Sequence, residues 1–331
     1  MNINKVVIWG HKLHSHTHSY IHDSFYKAFK FLGYDTYWFD ENGNNNNGNK
    51  EIDFSNSLFL THGSSCDKIP LNNSSIYLFH NTEFIEKNDQ MFPKNHININ
   101  ENIGISRKNI IIFQVYTHDC INRDIPDPQH KYHYYEPNNK IIYFPWATDL
   151  LPSEINENIQ NITNIKYKME SNFIGSGTEP YGKLKQYLDK LNITTNFYGG
   201  TFDVDSNRNK STYENMKLIQ DSIIAPALQT EWQCDNGYIP CRIFKNISYG
   251  KIGITNNETV KDLFKNNVIY SKNIEELAKK SIRFETNVNK YQFLIPLMEE
   301  VRDNHTYINR INYIFKYIKI FLNINIDDIK K

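Results

Sequence analysis

Short apolar runs bounded by polar, Gly or Pro residues recur along the chain, and the stretches between them place apolar residues at helical spacing. Residues 5–9 (KVVIW) form such a run and end at Gly10. After a polar loop, Ile21, Phe25, Ala28, Phe29 and Leu32 recur at the interval of one helix face, which predicts a helix over residues 19–32. Gly33 stands just past that helix, where a positive φ is wanted. Residues 35–39 then read as a second strand, so the opening is a βαβ unit of a parallel sheet. Strands are predicted again at 57–61, 76–79, 110–115 and 141–144. Their apolar positions are continuous, as in a sheet covered on both faces. Residues 42–49, low-complexity Asn and Gly, read as a surface loop.

The same grammar restarts at residue 171. A strand at 171–174 exits through Gly175-Ser176-Gly177. A helix at 181–191 and a strand at 195–198 follow, then a helix at 213–221, a strand at 222–225, a helix at 239–249 and a strand at 252–254. Two further helices are predicted at 259–265 and 274–283. A chain of 331 residues exceeds the size at which one core usually stops growing. The expected division is a first α/β domain at 1–165, a second at 166–300 and a C-terminal helical segment at 301–331. In that segment Ile308, Ile311, Ile314, Phe315 and Ile318 share one side, with Arg310, Lys316 and Lys319 elsewhere. A basic amphipathic helix can rest on a membrane surface; packing back on the domains is the favoured reading.

Charge and cysteine usage narrow the class. Lys+Arg and Asp+Glu both number 37, for a formal net charge of +0. That lacks the broad electrostatic footprint of a nucleic-acid binder, so no nucleic acid is expected among the partners, although a local basic pocket stays open. Cys66, Cys120, Cys234 and Cys241 show no CxxC spacing and point to a reducing compartment. No apolar stretch approaches the roughly 20 residues of a membrane span, and the chain opens directly on a strand pattern, so a cytoplasmic location is expected.

Ligands of open α/β sheets bind at the carboxyl ends of the strands. Here those positions are rich in imidazole. His11, His14, His16 and His18 follow the first strand, His62 the 57–61 strand, His80 the 76–79 strand, and His118-Asp119 the 110–115 strand. Taken singly, each reads as a cap or polar filler; together they mark a functional edge. His16, His18, His80 and His118 are the candidates for general base or acceptor contact, since a reference pKa near 6.5 leaves imidazole largely neutral at pH 7. The alternation His14-Ser15-His16-Thr17-His18 invites a metal, but a firm site needs further ligands and the run reads as a loop entering a helix, so no metal is expected. In the second half, Gly175 and Gly177 let backbone N–H groups approach an anion. Arg242 and Lys245 stand at the start of a helix with Pro240 at its first turn, where two cations can meet a diphosphate; a solvated helix face is the alternative.

Residues 224–229 (IAPALQ), 237–250 (GYIPCRIFKNISYG) and 252–255 (IGIT) resemble the donor-binding segment of GT-B glycosyltransferases, especially the branch of spore-maturation CgeB-like proteins. Residues 172–176 (NFIGS) with 196–199 (NFYG) resemble the opening of the donor domain, and 145–152 (PWATDLLP) the segment before it. The resemblance covers about residues 140 to 285, and the rest matches in layout only. It implies an α/β GT-B fold, two Rossmann-like domains facing each other across a cleft, with the C-terminal helix packed back on them. It implies sugar transfer from a nucleotide-diphosphate sugar to a hydroxyl of a glycan or small molecule, with no other cofactor and no metal. By the same resemblance Gly175 and Ser176 lie near the donor phosphates, and Arg242 and Lys245 near the diphosphate or ribose. Asp235, Asn236, Gly237 and Tyr238 lie near the transferred sugar, with Gln229 also among the donor-binding residues. Many retaining members carry Glu-x7-Glu here; this chain has Gly237 and Lys245 at those positions, which leaves the stereochemical outcome and the ribose contact open. A nucleotide-sugar epimerase of the same fold and a non-catalytic sugar-nucleotide or glycan binder are the alternatives.

Overall fold

The computed structural model of the chain describes residues 3–45, 52–62, 68–80, 109–116, 125–127, 130–137, 140–175, 179–199 and 209–324. The chain divides into two units, residues 1–144 with 310–331, and residues 145–309. The division thus falls at Phe144/Pro145, earlier than the position near residue 165 expected from the pattern.

The first unit is built on β1 (Lys5–Trp9), α1 (Ser19–Phe31), β2 (Thr36–Phe39), β3 (Ser57–His62), β4 (Ile76–His80), β5 (Ile110–Gln114), β6 (Ile125–Asp127), β7 (His130–Glu136) and β8 (Ile141–Tyr143). Its sheet has the order β2-β1-β3-β4-β5-β8-β7-β6, parallel from β2 through β8 and antiparallel beyond. Side chains of a strand alternate between faces, and paired residues of neighbouring strands share one. Val7, Trp9, Phe59, Tyr77 and Phe79 therefore lie together, with Phe39, in one apolar cluster. The opposite face carries Leu60 beside Leu78 and, at the strand ends, His62 beside His80. Both faces are buried, as the continuous apolar runs require. The β6–β7 hairpin was not predicted: its residues combine two prolines with polar alternation and carry no apolar run.

The second unit contains α2 (Pro152–Gln160), β9 (Glu170–Ile174), α3 (Glu179–Asp189), β10 (Thr194–Tyr198), α4 (Thr212–Asp221), α5 (Glu231–Asp235), α6 (Cys241–Ser248), β11 (Ile254–Thr255), α7 (Glu258–Leu263), β12 (Ile269–Tyr270), α8 (Ile274–Glu285) and α9 (Tyr291–Asn304). β9 pairs with β10 and β11 with β12, both parallel. The extended segment 222–228 joins the two pairs: the Ile223 amide donates to Glu170 O (2.8 Å) and the Ala227 amide to Ile254 O (2.8 Å). Pro226 removes one ladder donor, and side chains take over part of the pairing. Ser222 Oγ accepts from the Asn172 amide (2.9 Å) and Ser171 Oγ donates to Ile224 O (3.0 Å). The result is a parallel α/β layer of Rossmann type. Lys251, 2% exposed, sits under it, paired with Glu285 (3.1 Å), which Lys290 also contacts (2.8 Å).

Helix α10 (Tyr307–Leu322) buries Ile311, Ile314 and Ile318 completely. Phe315 packs on Phe29 and Tyr34, with ring centroids at 6.1 and 5.5 Å, and Tyr317 on Tyr135 at 4.7 Å. The amphipathic stripe is thus covered by protein of the first unit. Among the described residues no helix is long and apolar enough to cross a membrane.

Candidate functional site

In the second unit, chemistry converges where β9 and β10 end. Gly175 (φ +137°) donates its amide to Tyr198 O at 2.8 Å. A Cβ here would lie 2.4 Å from Nη2 of Arg242, so glycine is what lets the guanidinium lie against the strand exit. Arg242, in the first turn of α6, is held from several sides. Its Nε donates to Ile174 O (3.2 Å), its Nη1 donates to the Tyr181 hydroxyl (3.1 Å), and its plane lies over the Phe173 ring, 4.2 Å from the centroid. Tyr181 is buried; its hydroxyl donates to Pro226 O (2.8 Å) and accepts from the Leu228 amide (2.9 Å). Burial pushes its pKa up, so it stays a neutral anchor. The arrangement presents a fixed cation beside a glycine at the end of a parallel strand. An anion binds best in such surroundings.

Lys245, one turn along α6, forms an ion pair with Asp149 (2.9 Å). Tyr249 donates its hydroxyl to the same carboxylate, 2.7 and 2.8 Å from its two oxygens. Burial and the Asp149 charge hold the Tyr249 pKa well above its ordinary value. Lys245 is therefore neither on a solvated face nor an isolated cation. Gln229 is buried among backbone and amide partners: its Nε2 donates to Tyr238 O (2.7 Å) and its Oε1 accepts from Asn257 Nδ2 (2.9 Å). Asn257 also donates to Tyr238 O (2.9 Å), and Asn256 ties to the Gln229 backbone in both directions. Gln229 thus locks the turn that carries Asp235, Asn236, Gly237 and Tyr238. In that turn Gly237 adopts φ +64° and Asn236 donates to Trp232 O (2.8 Å). Ser176 lies outside the described residues.

Asp149, Tyr181 and Asn257 belong to this constellation and were not singled out from the sequence. Only the 145–152 resemblance touched one of them.

In the first unit, imidazoles gather at the carboxyl ends of β1, β3 and β4. Ring centroids of His18 lie 3.9 Å from His62 and 5.1 Å from His80, and His62 lies 5.2 Å from His80. His16 stands 5.2 Å from His18, and His11 stacks on His16 at 4.1 Å. His22, buried on α1, faces His11 at 6.5 Å. His14 turns away with φ +73° and meets the Tyr20 hydroxyl at 3.2 Å. Desolvation, then the repulsion of neighbouring imidazoles, lowers the pKa of His18 and His62 far below the usual value, and takes His22 and His80 to about 3. His18, His22, His62 and His80 are therefore neutral at pH 7. His118 lies outside the described residues.

No protein-family model matches the sequence, and no curated protein does either. Solved structures do match. An α-glucosyltransferase in complex with UDP-glucose and DNA containing an abasic site aligns with a TM-score of 0.60 at 8% identity, over 96% of this chain and 100% of its own. An α-glucosyltransferase with UDP gives 0.59 at 8%, over 95% and 99%. A DNA-modifying β-glucosyltransferase, studied with and without uridine diphosphoglucose, gives 0.52 at 13%, over 95% and 99%. The fold is that of the GT-B glycosyltransferases. One expectation is corrected by these likenesses: the exclusion of nucleic acid does not hold, because proteins of this fold are bound to DNA or modify it. Net charge summed over the whole surface was too coarse a criterion, since backbone phosphates are met by local patches of cationic and amide groups.

Proposed function

We propose that the protein is a glycosyltransferase that binds a uridine-diphosphate sugar on its second unit and transfers the sugar to an acceptor hydroxyl. The observation that carries this reading is Arg242, fixed by Ile174, Tyr181 and Phe173 against Gly175 at the end of β9. Its guanidinium is the group that meets the diphosphate, with the N-terminus of α3 adding to the positive field, so that no divalent cation is needed at the phosphates. Lys245, through Asp149 and Tyr249, and Gln229, through Tyr238 and Asn257, hold the surrounding turns in place. The resemblance of residues 224–255 to the CgeB-like branch supports the same assignment.

In the reaction the acceptor oxygen bonds to the anomeric carbon as the bond from that carbon to the β-phosphate oxygen breaks. The nucleoside diphosphate leaves with the bonding pair, and the acceptor proton is released. His80, buried and neutral down to about pH 3, is too weak a base for it. Glycans, small hydroxyl compounds and DNA with an HMU base, the last present with one structural neighbour, form the acceptor set to test. Incubation with UDP-glucose should yield free UDP and a glucosylated acceptor from one member of this set. A donor sugar altered without acceptor would indicate an epimerase. Tight donor binding with no UDP release under every acceptor would indicate a non-catalytic binder.

A further inference from the structure

Along the sequence, His14, His16 and His18 lie on one loop and lack further ligands for a metal. The structure supplies different company for His18. His62 closes β3 and His80 closes β4, and the two are direct partners in the parallel register, so their side chains leave the sheet on the same face. His18 caps the start of α1 and brings its ring onto that face. One ring nitrogen from each of the three lies within 4.8 Å of the other two. In a tetrahedral site with Zn–N near 2.0 Å, ligand nitrogens stand about 3.3 Å apart, so small ring rotations close the set. His62 and His80 are 3% and 4% exposed.

We propose that His18, His62 and His80 form a binding site for a divalent transition-metal ion of the zinc type, with a fourth position left to water. Three neutral nitrogen donors without a carboxylate suit zinc, copper, nickel or cobalt and not magnesium or calcium, which take oxygen ligands. Imidazole binds such an ion in its neutral form, so affinity should fall as pH drops. Nδ1 of His16 accepts the His18 amide hydrogen (3.2 Å), so it carries a lone pair. The two Nδ1 atoms lie 3.3 Å apart. On the far side, Phe113 stacks on His80 at 5.1 Å and limits its rotation.

The test uses the full chain, stripped with EDTA and titrated with Co2+ and then Zn2+ in the absence of nucleotide, so that its outcome is independent of the donor reading. One equivalent of Co2+ should develop the intense visible bands of a four-coordinate ion, and one equivalent of Zn2+ should abolish them. His62→Gln and His80→Gln should each weaken Zn2+ binding at least about a hundredfold. His14→Gln, whose ring is turned to Tyr20, should leave it unchanged. A pale six-coordinate cobalt spectrum with only weak binding would overturn the proposal, as would tight binding indifferent to both substitutions. If a variant does not fold, X-ray absorption at the zinc edge of the native protein decides: three imidazole ligands are expected, and fewer than three would refute the site.

Discussion

Mild acid is the most informative perturbation of the first unit. His22, His62 and His80 are 2%, 3% and 4% exposed, and burial together with neighbouring imidazoles lowers the pKa of each far below 6.5. In the unfolded chain the same residues titrate near 6.5. Between pH 7 and 5.5 the unfolded state therefore takes up protons that the native state does not, and stability falls as pH falls. For a group that stays neutral in the native state, the linkage relation gives about 1.2 kcal/mol over that interval, so these three residues and His18, whose pKa burial also lowers well below the usual value, together cost about 5 kcal/mol. That is a large fraction of the 5–15 kcal/mol typical of a domain. Carboxylates held low by their partners, such as Asp40 and Asp303, lose their contribution only below about pH 5, so the window isolates the imidazoles. Urea unfolding of the EDTA-treated protein at pH 7.0 and 5.5, followed by circular dichroism, measures the difference. His80→Gln should remove about a quarter of it. Equal unfolding midpoints at the two pH values would refute the reasoning.

Other consequences concern the second unit. Gly175→Ala puts a methyl group where Nη2 of Arg242 now lies and asks an L-residue to hold φ +137°; UDP affinity by calorimetry should fall at least about tenfold, with a stability loss of about 1–3 kcal/mol. Glu285→Gln strands buried Lys251 without its carboxylate and should cost about 3–5 kcal/mol in urea unfolding, most of which Lys251→Met in the same chain should restore. Tyr249→Phe deletes the hydroxyl that donates to Asp149 and should cost about 1–3 kcal/mol in the same assay, because a buried carboxylate loses a donor.

Much of the scaffold could be read in advance because its signals are local. The strands at β1, β3, β4 and β5 are unbroken apolar runs, and α1, α4, α6 and α8 keep their apolar residues at helical spacing. Where signals conflict, the pattern failed. Helix α9 holds Pro296 in its interior and is fixed by buried Leu294, Leu297, Met298 and Val301, and α2 is Asn-rich with Ile155 as its one buried residue. The site divides the same way. Arg242 was legible from Pro240 and the helix start. Tyr181, 61 residues from the arginine it anchors, and Asp149, 100 residues from Tyr249, become partners only through the fold. The histidine edge followed from the rule that ligands gather at strand exits. That His62 and His80 stand side by side required the sheet order and register, which periodicity does not encode.

On the proposed function, Arg242 meets a nucleoside diphosphate. The direct measurement is isothermal titration of the full chain with UDP and with UDP-glucose, repeated for Arg242→Ala, Arg242→Lys and Arg302→Ala. Arg302 is engaged elsewhere, with Asn156 and Asp303, and serves as the control. The native chain and the Arg302 variant should bind, with partial loss for lysine and at least about tenfold loss for alanine, equal to about 1.4 kcal/mol. Absence of binding by the native chain, or equal affinity in Arg242→Ala, would contradict this role for Arg242.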